Sequence, residues 1–141
     1  VNPNIFPEGY EAGTLNMPAI YSLKTSLEFI ERERVAIEQR ENELLGMFFA
    51  ELDKLDEVTV YDREARRVST FCFNIKGISS DRVVAYLDKK GICVRGGIHC
   101  AILAHEAIHT VQTGAVRVSL NYQNSEEEVQ LFVDALKELC G

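Results

Sequence analysis

The chain has 141 residues, 46% of them hydrophobic and 26% charged, and its 22 Asp and Glu against 15 Lys and Arg give a net charge of −7. That length suits one domain with a sizeable core, and an acidic chain without a basic stripe argues against nucleic acid as a partner. No apolar run approaches the roughly 18 residues of a membrane span, and no charged-then-apolar signal segment opens the chain. The four cysteines lack the spacing of a small secreted framework, so they read as free thiols of a cytoplasmic protein. A start at Val1 rather than Met suits a fragment or a processed product.

Residues 1–16 hold two of the three prolines together with Asn, Gly and Thr, which predicts an extended lead-in without regular structure. The remainder, 17–141, reads as one domain. Asn16 is placed to cap a helix with Pro18 in its first turn, and Ile20, Leu23, Leu27 and Ile30 recur at helical spacing to about Glu31. A second helix, or a bent continuation, is expected from about Arg34 to Leu55 on Ile37, Leu44, Leu45, Phe48, Phe49, Leu52 and Leu55. The dense charges at Glu31–Arg34 and Glu38–Glu43 read as a solvated face with i,i+4 pairs.

After Glu57 the period changes to two. Val58 and Val60 alternate, 63–67 makes a polar turn, and Phe71, Phe73 and Ile75 point opposite to Cys72, Asn74 and Lys76, which is hairpin-like. Ser79 or Ser80 caps a helix with Val83, Val84 and Leu87 inside, ended by Gly91. A short strand, Ile92–Arg95, a long loop, a last strand on Val116, Val118 and Leu120, and a helix opened by the capping box Ser125/Glu128 complete the chain. The order predicts a two-layer α+β unit, with about four mixed or antiparallel strands and helices on one face.

Chemistry concentrates in Arg95-Gly96-Gly97-Ile98-His99-Cys100-Ala101. A Cys flanked by a basic residue and a His, on a backbone loosened by glycines, can favour thiolate and remain reachable. Cys72 and Cys93 lie in strand-like contexts and Cys140 near the end of an amphipathic helix, where packing is the ordinary role. The pattern Arg-x-Gly-x-His-Cys-Ala resembles the active-site loop of group II cysteine desulfurases and selenocysteine lyases, members of the class V aminotransferase family of pyridoxal-phosphate enzymes. Two further segments agree in order: Tyr10 to Asn16 is similar to the family's Glu-x-Gly-Thr-x-Asn, and Gly114 to Tyr122, with Asn124 to Val129, is similar to its last strand and helix.

The resemblance implies the C-terminal small domain of a fold-type I enzyme, acting with pyridoxal phosphate on L-cysteine or selenocysteine. Cys100 would take sulfur as a persulfide for a sulfur-acceptor protein. Arg117 would grip the substrate carboxylate, a task suited to a bidentate fork, and Arg95 would support it. Thr14, beside Gly13, would reach the cofactor phosphate across a homodimer. His99 could tune the thiol or merely pack, since in an extended loop its side chain points away from its neighbour. None of Lys24, Lys54, Lys76, Lys89, Lys90 or Lys137 matches the Schiff-base lysine, so the large cofactor-binding domain is absent and the chain alone should be inactive. Cysteine, selenocysteine and cysteine sulfinate present the same carboxylate and amine and are not separated by these residues.

A rival from another class is His105-Glu106-Ala107-Ile108-His109. On a helix, H-E-x-x-H places two imidazoles on one face for zinc, with the Glu as general base for peptide hydrolysis. The helix would be short and only Glu126–Glu128 offer a third ligand, so the family resemblance, with no metal, is preferred.

Overall fold

The computed structural model describes residues 4–11, 13–65 and 67–141. Its contacts divide the chain into two units, residues 1–36 and 37–141. In the first, Glu8–Tyr10 forms a single 3₁₀ turn where an irregular lead-in was expected, closed by the Tyr10 amide donating to the Pro7 carbonyl at 3.0 Å. Asn16 caps the following helix, its Oδ1 accepting from the Ala19 amide at 3.1 Å. That helix, α1, runs unbroken over Met17–Leu52, so the stretch expected as a second helix or a bent continuation to Leu55 is a continuation that ends at Leu52. The charged stretch 31–34 is polar but contains no Pro or Gly, so nothing there interrupts the backbone ladder.

The second unit holds the core. Strands β1 (Val58–Val60), β2 (Thr70–Ile75) and β3 (Val116–Ser119) form one antiparallel sheet in the order β1-β2-β3. The register pairs Val60 with Phe73, Phe71 with Val118 and Phe73 with Val116. Phe71, Phe73, Ile75, Val116 and Val118 therefore share one face. On it pack Leu44, Leu45, Phe48 and Leu52 of α1, Val83 and Leu87 of α2 (Ser80–Lys89), and Val129, Phe132 and Leu136 of α4 (Glu126–Cys140). Helices on one sheet face is the α+β arrangement the order of elements predicts. Phe132 lies edge-on to Phe48 and Phe73, with ring centroids 5.0 and 5.9 Å away, a favoured geometry for aromatic pairs.

Among the described residues the sheet has three strands where about four were expected. Ile92–Arg95 stays near the core but makes only one bridge, Arg95 to Arg117, because the Ile92 amide is spent on the Leu87 carbonyl at the end of α2. The capping-box expectation holds: Ser125 Oγ accepts from the Glu128 amide, whose carboxylate accepts from the Ser125 amide. At α2, Ser79 takes the cap position expected of Ser79 or Ser80 but makes no side-chain cap bond, and Ser80 donates to the Thr113 carbonyl. Among the described residues no helix is long and apolar enough to cross a membrane.

Phe73 is fully buried. Phe73→Ala should lower unfolding free energy by about 3–5 kcal/mol in a denaturant titration, through lost burial plus the cavity left among Phe48, Phe132 and the strands.

Candidate active site

The Cys100 loop is built by backbone fixed at close range. Arg95 and Arg117 exchange N–H···O bonds of 3.2 and 2.7 Å, and the Ala115 amide donates to the Gly97 carbonyl at 3.1 Å. The segment before the cysteine is thus stitched to the outer edge of β3. A methyl group on Gly96 would lie 2.9 Å from Val84 Cγ2, so that glycine answers to packing against α2 and not to the freedom expected of it. Gly97 does need freedom, with φ at +101°.

Beyond Gly97 the loop is not extended. His99 and Cys100 have φ of 50° and 57°, left-handed values that non-glycine residues adopt at a cost of about 1–3 kcal/mol each. An Ala101 amide to Ile98 carbonyl bond of 2.8 Å closes the turn, and Cys100 is exposed. The His99 ring lies 3.1 Å through Nε2 from the Arg95 carbonyl, which can only accept, so Nε2 carries the proton. Burial pushes the imidazole below its ordinary value, the Arg95 carbonyl opposing and the nearby Arg117, His105 and Arg95 charges reinforcing that fall.

Arg117 alternates with buried Val116 and Val118 and lies on the polar face of the sheet, directly paired with Cys72. Its Nε is buried without a partner among the described residues. Asn74, on the same face, donates through Nδ2 to the Gly114 carbonyl at 2.9 Å and so ties β2 to the turn that abuts Gly97. Burial raises the Cys72 thiol, against a counter-pull from Arg117 and Arg67. Cys140 is also pushed up by burial. Cys93, expected to pack in a strand, is exposed and lies in no strand. Thr14 and Gly13 are exposed in the first unit, with φ +82° at Gly13; Ala12 of that segment and Arg66 of the predicted turn lie outside the described residues.

The zinc pattern is not realised. Helix α3 spans Ile102–Ala107, and His109 falls past its end with φ of 57°, so the two imidazoles do not share a helix face. His105 is buried, its Nδ1 2.7 Å from Thr110 Oγ1, and the described residues contain no group of three or more His, Cys, Asp or Glu able to hold a metal ion. The pattern of residue types does not show the contact with Thr110, since His105 there belongs to a metal motif that ends at His109.

Against known proteins, the family profile described as Aminotransferase class-V matches residues 3–132. The chain belongs to the class V aminotransferase family. A probable cysteine desulfurase of Methanothermobacter thermautotrophicus is 34% identical over 140 residues, covering 96% of this chain and 35% of that protein. A probable cysteine desulfurase of Pyrococcus abyssi is also 34% identical, over 94% of this chain and 33% of its own length. The apo structure of the cysteine desulfurase from Thermococcus onnurineus superposes with a TM-score of 0.82 at 34% identity, over 95% of this chain and 34% of that one. The chain therefore spans about a third of the relatives it matches, with their fold. In this family member the Cys100 loop and the Arg117 strand are one continuous hydrogen-bonded piece.

Because burial lowers the His99 imidazole, it should titrate below its ordinary value when followed by NMR. The unfolded chain then binds more protons than the folded one at mildly acidic pH, so stability should be lost as pH falls below about 6.5. His99→Gln should flatten that dependence in pH-resolved denaturant titrations.

Proposed function

We propose that this chain is the C-terminal small domain, residues 17–141 with a lead-in of 1–16, of a longer pyridoxal-phosphate-dependent cysteine desulfurase that works in the cytoplasm. The observation that carries the reading is the exposed Cys100 thiol on a strained turn anchored to the strand that bears Arg117. A nucleophile must be both reachable and held, and this loop does both.

The chain's own residues divide the work. Arg117 offers a planar donor fork to the substrate carboxylate, from a strand whose alternate residues are locked in the core. Arg95, whose backbone is bonded to that of Arg117, adds positive charge beside it. The Cys100 thiolate bonds to the substrate sulfur as the substrate's Cβ–S bond breaks, giving alanine and a Cys100 persulfide, from which an acceptor protein takes the outer sulfur. Pyridoxal phosphate, when bound, supplies the electron sink that makes that carbon–sulfur bond cleavable.

The residues present fit part of that cofactor's needs. Thr14, with its exposed hydroxyl beside the left-handed Gly13, suits a phosphate oxygen reached from the other subunit of a homodimer. No lysine of the chain suits the covalent link: Lys24, Lys54, Lys90 and Lys137 are in ion pairs with Glu28, Glu51, Glu138 and Glu51, and Lys76 and Lys89 are exposed at the ends of β2 and α2. The chain alone is accordingly inactive. L-Cysteine is the favoured substrate because the relatives that match are named cysteine desulfurases, and selenocysteine would fit the same carboxylate fork.

The test uses the full-length protein loaded with pyridoxal phosphate and measures alanine released from L-cysteine. Cys100→Ala should lower the rate at least about a hundredfold while the cofactor absorbance stays, and Cys93→Ala should leave it unchanged. Turnover of the Cys100→Ala protein at the wild-type rate would remove the persulfide role.

A further inference from the structure

Behind the cysteine loop lies a buried polar pair that the desulfurase chemistry does not use. His105 and Thr110 are each 3% exposed. Their side chains share a 2.7 Å hydrogen bond between Nδ1 and Oγ1, and the Thr110 amide donates to the His105 carbonyl at 2.8 Å. The next link is also backbone: the Gly114 amide donates to the Thr110 carbonyl at 2.8 Å, which connects this turn to the start of β3. The His105 ring is thus held at Nδ1 by a hydroxyl whose own turn is fixed by two backbone bonds.

That ring has a neighbour. The His99 ring lies against it, centroids 5.6 Å apart and planes tilted by 41°. His99 is also held through Nε2 by the Arg95 carbonyl, and its backbone, like that of Cys100 next to it, is in the left-handed region. Two successive non-glycine residues in that region persist only where their surroundings hold them there. Backbone bonds secure the loop up to Gly97, and the Ala101 amide closes the turn, so the side chain that can hold His99 is the immobilised ring of His105. Simple packing would not require this chemistry: burying an imidazole and a hydroxyl costs free energy unless they are bonded to each other, and an apolar pair would fill the same space without that cost.

We propose that His105, oriented by Thr110, is a positioning residue for Cys100: its ring is the platform that keeps His99 and Cys100 in their left-handed turn, and so keeps the thiol where it can reach the substrate sulfur. This rests on the reading of Cys100 as the sulfur acceptor. A loop released from the platform relaxes to ordinary backbone angles and carries the thiol away from its line of attack, while the carboxylate fork at Arg117 is untouched. The cost therefore falls on kcat and not on KM.

The experiment compares wild type with His105→Leu, Thr110→Val and Thr110→Ser in the full-length protein loaded with pyridoxal phosphate. It measures kcat and KM for alanine formation from L-cysteine, and peptide-level hydrogen exchange in the same samples without substrate. His105→Leu and Thr110→Val should lower kcat at least about tenfold with KM within about twofold, since small misplacements of a reacting group are costly. Exchange should quicken across residues 98–105 and stay unchanged in α4. Thr110→Ser, which keeps the hydroxyl, should restore both. Unchanged kcat and unchanged loop exchange in Thr110→Val would overturn the proposal, as would faster exchange throughout α4 in every variant, which would mark the pair as part of the fold alone. If Cys100→Ala turns over normally, the desulfurase reading fails by itself, and the exchange measurements still decide whether His105 and Thr110 hold the turn.

Discussion

At Gly114 a methyl group would come within 2.5 Å of the Ser80 hydroxyl oxygen and 2.9 Å of the Gly97 Cα, so three stretches of chain meet there closer than any side chain permits. The candidate site depends on that approach. Because Gly114 and Gly97 touch, Ala115 can bond to the Gly97 carbonyl and Arg117 to Arg95, and the path to Cys100 is set before any side chain contributes. Ser80, buried at the start of α2, adds its own bond to the Thr113 carbonyl and keeps the approaching turn in place. Asn74 grips the same turn from the sheet.

The sheet joins this scaffold to the core. Its apolar face carries Phe71, Phe73, Val116 and Val118 into the aromatic cluster with Phe48 and Phe132. The opposite face carries Cys72, Asn74 and Arg117. Strand alternation thus puts a guanidinium on rigid backbone, one residue away on each side from a buried valine. On the proposed reading, rigid support for Arg117 and local strain at His99 and Cys100 are complementary: a carboxylate site would profit from immobility, and a nucleophile from being held in a conformation it would not choose alone.

Much of the fold was legible because hydrophobic period reports burial. Phe71, Phe73 and Ile75, at a spacing of two, share the buried side of β2 as their alternation with Cys72 and Asn74 implies. The capping box at Ser125 and Glu128 was legible for a local reason, since both bonds lie within four residues. The extent of α1 was legible only in part, because a run of charges admits either a boundary or a continuation, and here the helix backbone runs through it. The missing fourth strand was not legible. Ile92–Arg95 has the composition of a strand, but pairing depends on what lies beside it, and only Arg95 meets β3.

The sequence by itself determined the family, through the Arg-x-Gly-x-His-Cys-Ala loop and its two companion segments, and it determined which residues are inward. Local order and side-chain period suffice for both. Tertiary structure alone decided how those residues are held. It assigned Gly96 to packing against α2, left Cys93 exposed, ended α3 before His109, and set His105 on Thr110 beneath His99. Each of these depends on contacts between segments distant in sequence or on backbone angles within a turn, and a pattern of residue types does not encode either.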